Sequence, residues 1–268
     1  MKQRSKTGRI FAAALAGIAL SAISLQAAVV PAPQINDVFL GVRVLQGDEG
    51  LNPGKNTAYL VNLGAYSTFS TATSAFTLDV GNINSDLTRI FGSSWATRTD
   101  LNFGVFGIGS ATNPIVFSSL SRIAGSASST PGVLDLTQRG LAYSAISSVI
   151  NSDGLGYKGR ESTLNGLNGS AVAVEQVGVT GAQSYLTQVA GTPLDFETWN
   201  SIEAPVAGDT VLDLYRYRNG FTDTAGSFSF GSEGLVFTPV PEPSAALLAA
   251  AGSLALVFNR RRSRTEQN

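Results

Sequence analysis

The chain has 268 residues, enough for one large domain or two small ones, and it contains 0 His, 0 Cys and 1 Met. These absences exclude a disulfide framework, a Cys nucleophile, thiolate or imidazole metal sites and a Ser-His-Asp triad. The two ends carry eight of the 18 basic residues but two of the 19 acidic ones. Ten basic and 17 acidic residues remain between them, a net charge of about −7 that argues against nucleic-acid binding.

Residues 1–28 have the three parts of a secretory signal peptide. A basic stretch precedes an apolar run from residue 10 to about residue 25, and Ala27 and Ala28 follow. A run of roughly 16 residues is short for a membrane span, which needs ~20. We therefore predict export with cleavage near Ala28. An uncleaved N-terminal anchor is the alternative, because Gln26 occupies a position where a small residue is usual.

Residues 29–239 are rich in Gly, Ser, Thr and Asn between short apolar runs. Apolar residues that recur with period two predict strands at residues 37–44, 59–63, 103–107, 171–179 and 211–218. A further hairpin is predicted across residues 228–238, with its turn at residues 231–234.

Three segments break this alternation and predict short helices. In the first, Asn84 is expected to cap a helix that ends at Gly92. In the second, Thr137 is expected to cap a helix whose buried stripe includes Leu141, Ala145 and Val149. A third is predicted around residues 182–190.

Numerous short strands and few helices predict a mainly β fold. We expect an antiparallel β-sandwich or barrel-like sheet with two or three short covering helices. Residues 29–239 are interpreted as one extracytoplasmic domain, and a two-domain division near residues 126–132 is the alternative.

The letters of a G-x-G-x-x-G loop occur at residues 154–159. A dinucleotide site needs that loop between a strand and a helix, whereas this one follows a predicted helix, so we predict an ordinary loop.

Acidic side chains offer two further candidate sites. Asp195 and Glu197, beside Trp199, could form the carboxylate pair of a glycoside hydrolase, which needs neither His nor Cys. Asp209 and Asp213 offer oxygen ligands for calcium but lack EF-hand spacing. Neither arrangement defines a site, so we predict no catalytic residue, cofactor or metal, and no enzymatic activity.

Four aromatic residues are candidates for a sugar-binding platform: Trp95, Trp199, Tyr215 and Tyr217. Tyr215 and Tyr217 would share one face of a strand. Because the chain has only 2 Trp, core packing is the favoured interpretation of these side chains.

Residues 240–264 contain three parts in order: the motif Val240-Pro241-Glu242-Pro243, an apolar stretch at residues 245–258, and the cluster Arg260-Arg261-Arg262. The prolines favour an extended backbone. As a helix, the apolar stretch would be ~21 Å long against a hydrocarbon core of ~30 Å, which favours a temporary hold. The arginines would stay cytoplasmic, so the body would lie outside the inner membrane.

This order of motif, short transmembrane helix and Arg cluster resembles the PEP-CTERM sorting signal. The resemblance implies a Gram-negative bacterium and processing by an exosortase-like membrane enzyme that recognises Pro241, Glu242 and Pro243. Proteins with this signal are usually associated with exopolysaccharide, biofilm or the cell surface. We therefore predict an exported, transiently anchored surface or matrix protein with a structural or adhesive role. Its expected partners are that enzyme, the inner membrane and extracellular polysaccharide, not nucleic acid. A carbohydrate-binding module and a carboxylate-based glycosidase are the alternatives.

Overall fold

The structure is a computed structural model that describes residues 30–44, 57–78, 83–128, 131–151, 157–158, 169–175, 185, 202–231 and 234–240. These residues are mainly β. The strands are β1 (Asp37–Val44), β2 (Thr57–Ala65), β3 (Phe76–Thr77), β4 (Leu101–Ile108), β5 (Val116–Ile123), β6 (Ala171–Glu175), β7 (Glu203–Pro205), β8 (Thr210–Arg218), β9 (Phe221–Gly231) and β10 (Gly234–Pro239). The helices are α1 (Tyr66–Ser70), α2 (Ile83–Phe91) and α3 (Leu136–Asn151), with one 3₁₀ turn at Trp95–Thr97.

All ten strands belong to one antiparallel sheet. Its order is β3-β10-β9-β8-β5-β4-β1-β2-β6, and the short β7 pairs with β4 beside this path. The antiparallel, mainly β prediction is confirmed. Because β5 pairs with β8 over eight residues, the sheet extends across the candidate division near residues 126–132.

Period-two alternation located several strands well. It predicted β1 with its observed limits and β8 to within one residue. The predicted face formed by Tyr59, Val61 and Leu63 on β2 lies in a single hydrophobic cluster. The described part of the strand expected at residues 171–179 is β6, and the predicted hairpin is the β9–β10 pair.

The sheet is strongly curled. Phe103 on β4 and Phe230 on β9 are separated by two intervening strands, so a flat sheet would hold them about 14 Å apart. Their ring centroids are 4.8 Å apart. Apolar side chains on the inside of the curl form the larger hydrophobic cluster, which α1 and α2 also join.

A second hydrophobic cluster lies on the opposite face of the sheet, under α3. Phe39 and Phe106 of the sheet belong to it together with Ala142, Ile146 and Val149 of the helix. Since β1 contributes to both clusters, nearly all of its residues are buried.

Both helix caps were predicted wrongly. Asn84 lies inside α2, which begins at Ile83, although the predicted end before Gly92 (φ 90°) is confirmed. The cap of α3 is Asp135 rather than Thr137. The Gln138 amide donates to Asp135 Oδ1 (2.8 Å), and the Asp135 amide donates to Gln138 Oε1 (3.0 Å). This reciprocal pair is a capping box, and the spacing of Asp135 and Gln138 was its sequence signal.

The stripe expected on α3 is partly wrong, since Leu141 is exposed while Ala145 and Val149 are buried. In the part of the chain described here, no helix combines the length and hydropathy that a membrane crossing requires. The predicted transmembrane helix at residues 245–258 lies outside that part. The helix expected at residues 182–190 also lies outside it, except for the helical residue Tyr185.

Candidate functional site

The candidate site is the point where the chain leaves the sheet. Of the predicted motif, the structure describes Val240, whereas Pro241, Glu242 and Pro243 lie outside the described residues, as does the Arg260-Arg261-Arg262 cluster. What the structure contributes is the anchorage of the motif on its N-terminal side.

In the described part of the chain, the last strand, β10, is paired along its whole length up to the motif. Along β10, every residue from Gly234 to Pro239 pairs with β9, and Pro239 lies opposite Gly226. The Val240 amide then donates to the carbonyl of Ala225 at 3.2 Å. The ladder therefore holds the residue directly before Pro241, with no linker between the sheet and the motif.

Gly226 is required where β9 and β10 meet. A Cβ added at Gly226 would clash with the Thr238 carbonyl oxygen, and it would lie 2.5 Å from the Phe237 ring and 2.8 Å from Pro239 Cα. Real Cβ atoms do not make such contacts. The absence of a side chain at this position therefore lets the end of β10 lie close to β9.

Aromatic packing fixes β10 from the inside of the curl. Phe69 of α1 packs edge-on against Phe237 of β10 and Phe228 of β9, with centroids 5.1 and 5.3 Å apart. Phe69 is fully buried. On its other edge, β10 pairs with Phe76 and Thr77 of β3. The strand before the motif is thus an integral part of the core.

Buried carboxylates are the groups in this chain that could act as a catalytic acid or base. Each of the five buried acids that the structure describes has a polar partner. These pairs are Asp37 with Asn62, Asp86 with Tyr59, Asp100 with Arg98, Glu203 with Arg43, and Asp213 with Arg122. Three of the five partners are arginines, so these acids hold strands and loops together.

The most buried ion pair joins β7 to β1. Arg43 donates to Glu203 through Nε (2.9 Å to Oε1) and Nη2 (2.6 Å to Oε2). The Tyr185 ring lies against the backbone of Gly41, where an added Cβ would be 2.6 Å from the ring. Burial, followed by the charge of Glu203, raises the pKa of Tyr185 well above its usual value. Tyr185 therefore stays protonated beside this pair.

The candidate glycosidase and calcium residues do not come together in the described structure. Asp195, Glu197 and Trp199 lie outside the described residues. Asp209 is exposed, whereas Asp213 is buried and binds Arg122. Within the described residues, no group of three or more acidic side chains could hold a metal ion.

The aromatic candidates that the structure describes are core residues. Trp95 packs against Phe230 with centroids 5.4 Å apart, and Tyr215 and Tyr217 lie in the cluster under α3. The core-packing interpretation is confirmed for these three, and Trp199 lies outside the described residues. None of the three can offer a sugar platform on the surface.

Arg139 is a core residue that was not expected from the sequence. It is almost fully buried in α3 and donates to the carbonyls of Pro114 and Leu134 and to Asn113 Oδ1. It thereby fixes the β4–β5 connection to the start of α3. A single Arg in a helix gives no sequence signal for such a role, because most helical arginines are exposed.

Comparisons with family models, with curated proteins and with solved structures were made for the whole chain. None of the three gives a match.

Proposed function

We propose that this chain is an exported protein, held temporarily at the inner membrane by residues 240–264 and then processed by an exosortase-like enzyme. After processing it acts at the cell surface or in the extracellular matrix as a structural or adhesive protein, in contact with polysaccharide. The observation that carries the proposal is the order of Pro241-Glu242-Pro243, the apolar stretch and the Arg cluster directly after a paired strand.

The proposed organisation has three parts. Residues 1–28 are a cleaved signal peptide, residues 29–239 form the extracytoplasmic domain, and residues 240–264 are the sorting signal with a single transmembrane helix. We regard the curled sheet as barrel-like, because its opposite halves meet across one aromatic interior. The proposed role involves no catalytic site or cofactor.

The motif is well placed for recognition by a membrane enzyme. Val240 is exposed, and β10 ends one residue before it, so we expect that an enzyme can bind the motif without unfolding the core. Pro241 and Pro243 keep the backbone extended and supply no amide hydrogen, which disfavours further pairing with β9.

The experiment compares two double variants in the chain's own host. Pro241→Ala with Pro243→Ala removes the motif's prolines, and Pro131→Ala with Pro205→Ala makes the same change at two sites in the body. We expect the first variant to fold but to keep its C-terminal segment in the membrane fraction, as shown by intact mass. The control should be processed like the unmodified chain.

Two results would contradict the proposal. If the motif variant is trimmed to the same mass and reaches the same fraction as the unmodified chain, the motif is not the sorting signal. If the unmodified chain itself retains residues 245–258 in the membrane, the segment is a permanent tail anchor.

A further inference from the structure

Several exposed apolar side chains lie at one end of the sheet. A row of paired residues crosses the sheet from Val38 through Gly107, Phe117 and Arg216 to Asp223. Beyond this row lie the start of β1, the β4–β5 connection and the β8–β9 hairpin. We call this the exit end, because β10 runs antiparallel to β9 and therefore points toward it.

Four large apolar side chains at the exit end are more than half exposed: Ile35, Val133, Leu136 and Phe221. Direct contacts tie their segments together. Asn36 donates to the Ile108 carbonyl, and Thr222 donates to the Gly132 carbonyl. Through Arg139, the start of α3 is bound to the β4–β5 connection. Ile123, which is 70% exposed, lies at the opposite end, paired with Thr210.

The chain leaves the sheet close to the exit end. From Ala225, which binds the Val240 amide, four residues along β9 lead to Phe221, a distance of about 13 Å. Ala245, where the apolar stretch begins, is five residues after Val240, and five extended residues span at most about 17 Å. A membrane that receives residues 245–258 is therefore within reach of Phe221.

We propose that the exit end rests on the surface of the membrane, with these four apolar side chains in the headgroup region. This proposal depends on the proposed function, because it needs the anchor at residues 245–258. The partner is a phospholipid surface. Phe221 lies under the guanidinium of Arg218, 5.5 Å from ring centroid to Cζ, and such a pair suits the boundary between apolar and charged layers.

A weak affinity of the exit end for lipid is sufficient when the chain is also anchored in the membrane. Arg216 and Arg218 both bind Asp223, and Asp135 is exposed nearby, so the exit end has no large excess of positive charge. A few exposed apolar residues would hold a free domain poorly. A short linker raises the effective concentration of lipid at this surface to the millimolar range or above. Removal of the anchor would then release the surface as well.

The experiment uses the absence of Cys from the chain, which permits single labels. Phe221→Cys and Leu136→Cys report on the exit end, and Ile123→Cys is the matched control, being at least as exposed. Each full-length variant carries an environment-sensitive fluorophore and is reconstituted in phosphatidylcholine–phosphatidylglycerol vesicles. Quenching by aqueous iodide and by spin-labelled lipid is then measured.

We expect iodide quenching at the two exit-end positions to be several-fold weaker than at Ile123→Cys, and lipid-borne quenching to be several-fold stronger. If the three positions are quenched equally in chains that float with the vesicles, the exit end does not contact the membrane. That result overturns the membrane-surface proposal but leaves the proposed anchor standing. Protection that grows with the protein-to-lipid ratio assigns the surface to a second copy and also overturns the membrane-surface proposal. Chains that fail to float with the vesicles overturn the anchor together with the surface.

Discussion

Replacing Glu203 with Gln keeps the side-chain volume but leaves Arg43 as a buried cation without its carboxylate. The two side chains are 8% and 2% exposed, so water cannot compensate. Breaking a buried pair in this way typically destabilises a fold by about 3–5 kcal/mol. The loss should be concentrated where β7 pairs with β4, because this pairing involves only three residues of β7.

The matched control is Asp223→Asn, which makes the same chemical change at a carboxylate that is only partly buried and that binds Arg216 and Arg218. Arg216 and Asp223 are 29% and 33% exposed, and pairs of this kind contribute about 0–1 kcal/mol. Comparing the two variants therefore separates the effect of burial on stability from the effect of losing a charge. Replacing both partners, Arg43→Met with Glu203→Leu, should cost less than Glu203→Gln alone, because no unpaired charge remains.

The free energy of unfolding is measured by urea denaturation of the full-length chain in mild detergent, followed by tryptophan fluorescence. Trp95 is buried against Phe230, so its emission reports on the core. Equal losses of stability in Glu203→Gln and Asp223→Asn would contradict this prediction. A double replacement as damaging as Glu203→Gln alone would contradict it as well.

Three further predictions concern glycine, pH and capping. Gly226→Ala should destabilise the chain by about 1–3 kcal/mol in urea titrations, because a Cβ has no room there. Gly140→Ala, in open space within α3, should instead stabilise it by about 0.5–1 kcal/mol. Burial raises the pKa of Tyr66 from 10.0 to about 12, so only the unfolded chain loses this proton just above pH 10. Stability should therefore fall with rising pH across that interval by up to about 3 kcal/mol. Tyr66→Phe should show a smaller fall in alkaline thermal melts, and an unchanged pH profile would contradict the assignment. Asp135→Ala should cost about 1 kcal/mol through loss of the α3 cap, whereas Thr137→Ala should cost less.

The parts of the fold that depend on local sequence patterns could be predicted from the sequence. Alternation found β1 and β8 because a strand between two apolar layers still repeats every two residues. The caps failed because Asp135 and Thr137 are both good capping residues, and the choice depends on the reciprocal Gln138. Long-range polar contacts had no sequence signal at all. Arg43 and Glu203 are 160 positions apart, and their strands come together because β1 and β7 both pair with β4.

The candidate site also has one part that can be predicted from the sequence and one part that cannot. The motif at residues 240–243 is contiguous, so it can be identified without a structure. Its attachment is not local, because the Val240 amide binds Ala225 and Gly226 makes room for Pro239. The exposure of Phe221 beside this exit also required the topology. A Phe next to a hairpin turn is, in the sequence alone, as consistent with a core position as with a surface one.

The position of β10 would link folding of the domain to the proposed sorting signal. Phe237 on β10 packs against Phe69 and Phe228, so part of the aromatic interior is missing until β10 has joined β9. In a chain exported from its N-terminus, as we propose, β10 is the last of the described strands to cross the membrane. The sheet can then be completed only when the motif has reached the outer surface. A folded domain and an accessible Pro241-Glu242-Pro243 segment would therefore arise at the same stage of export, while the apolar stretch is still in the membrane.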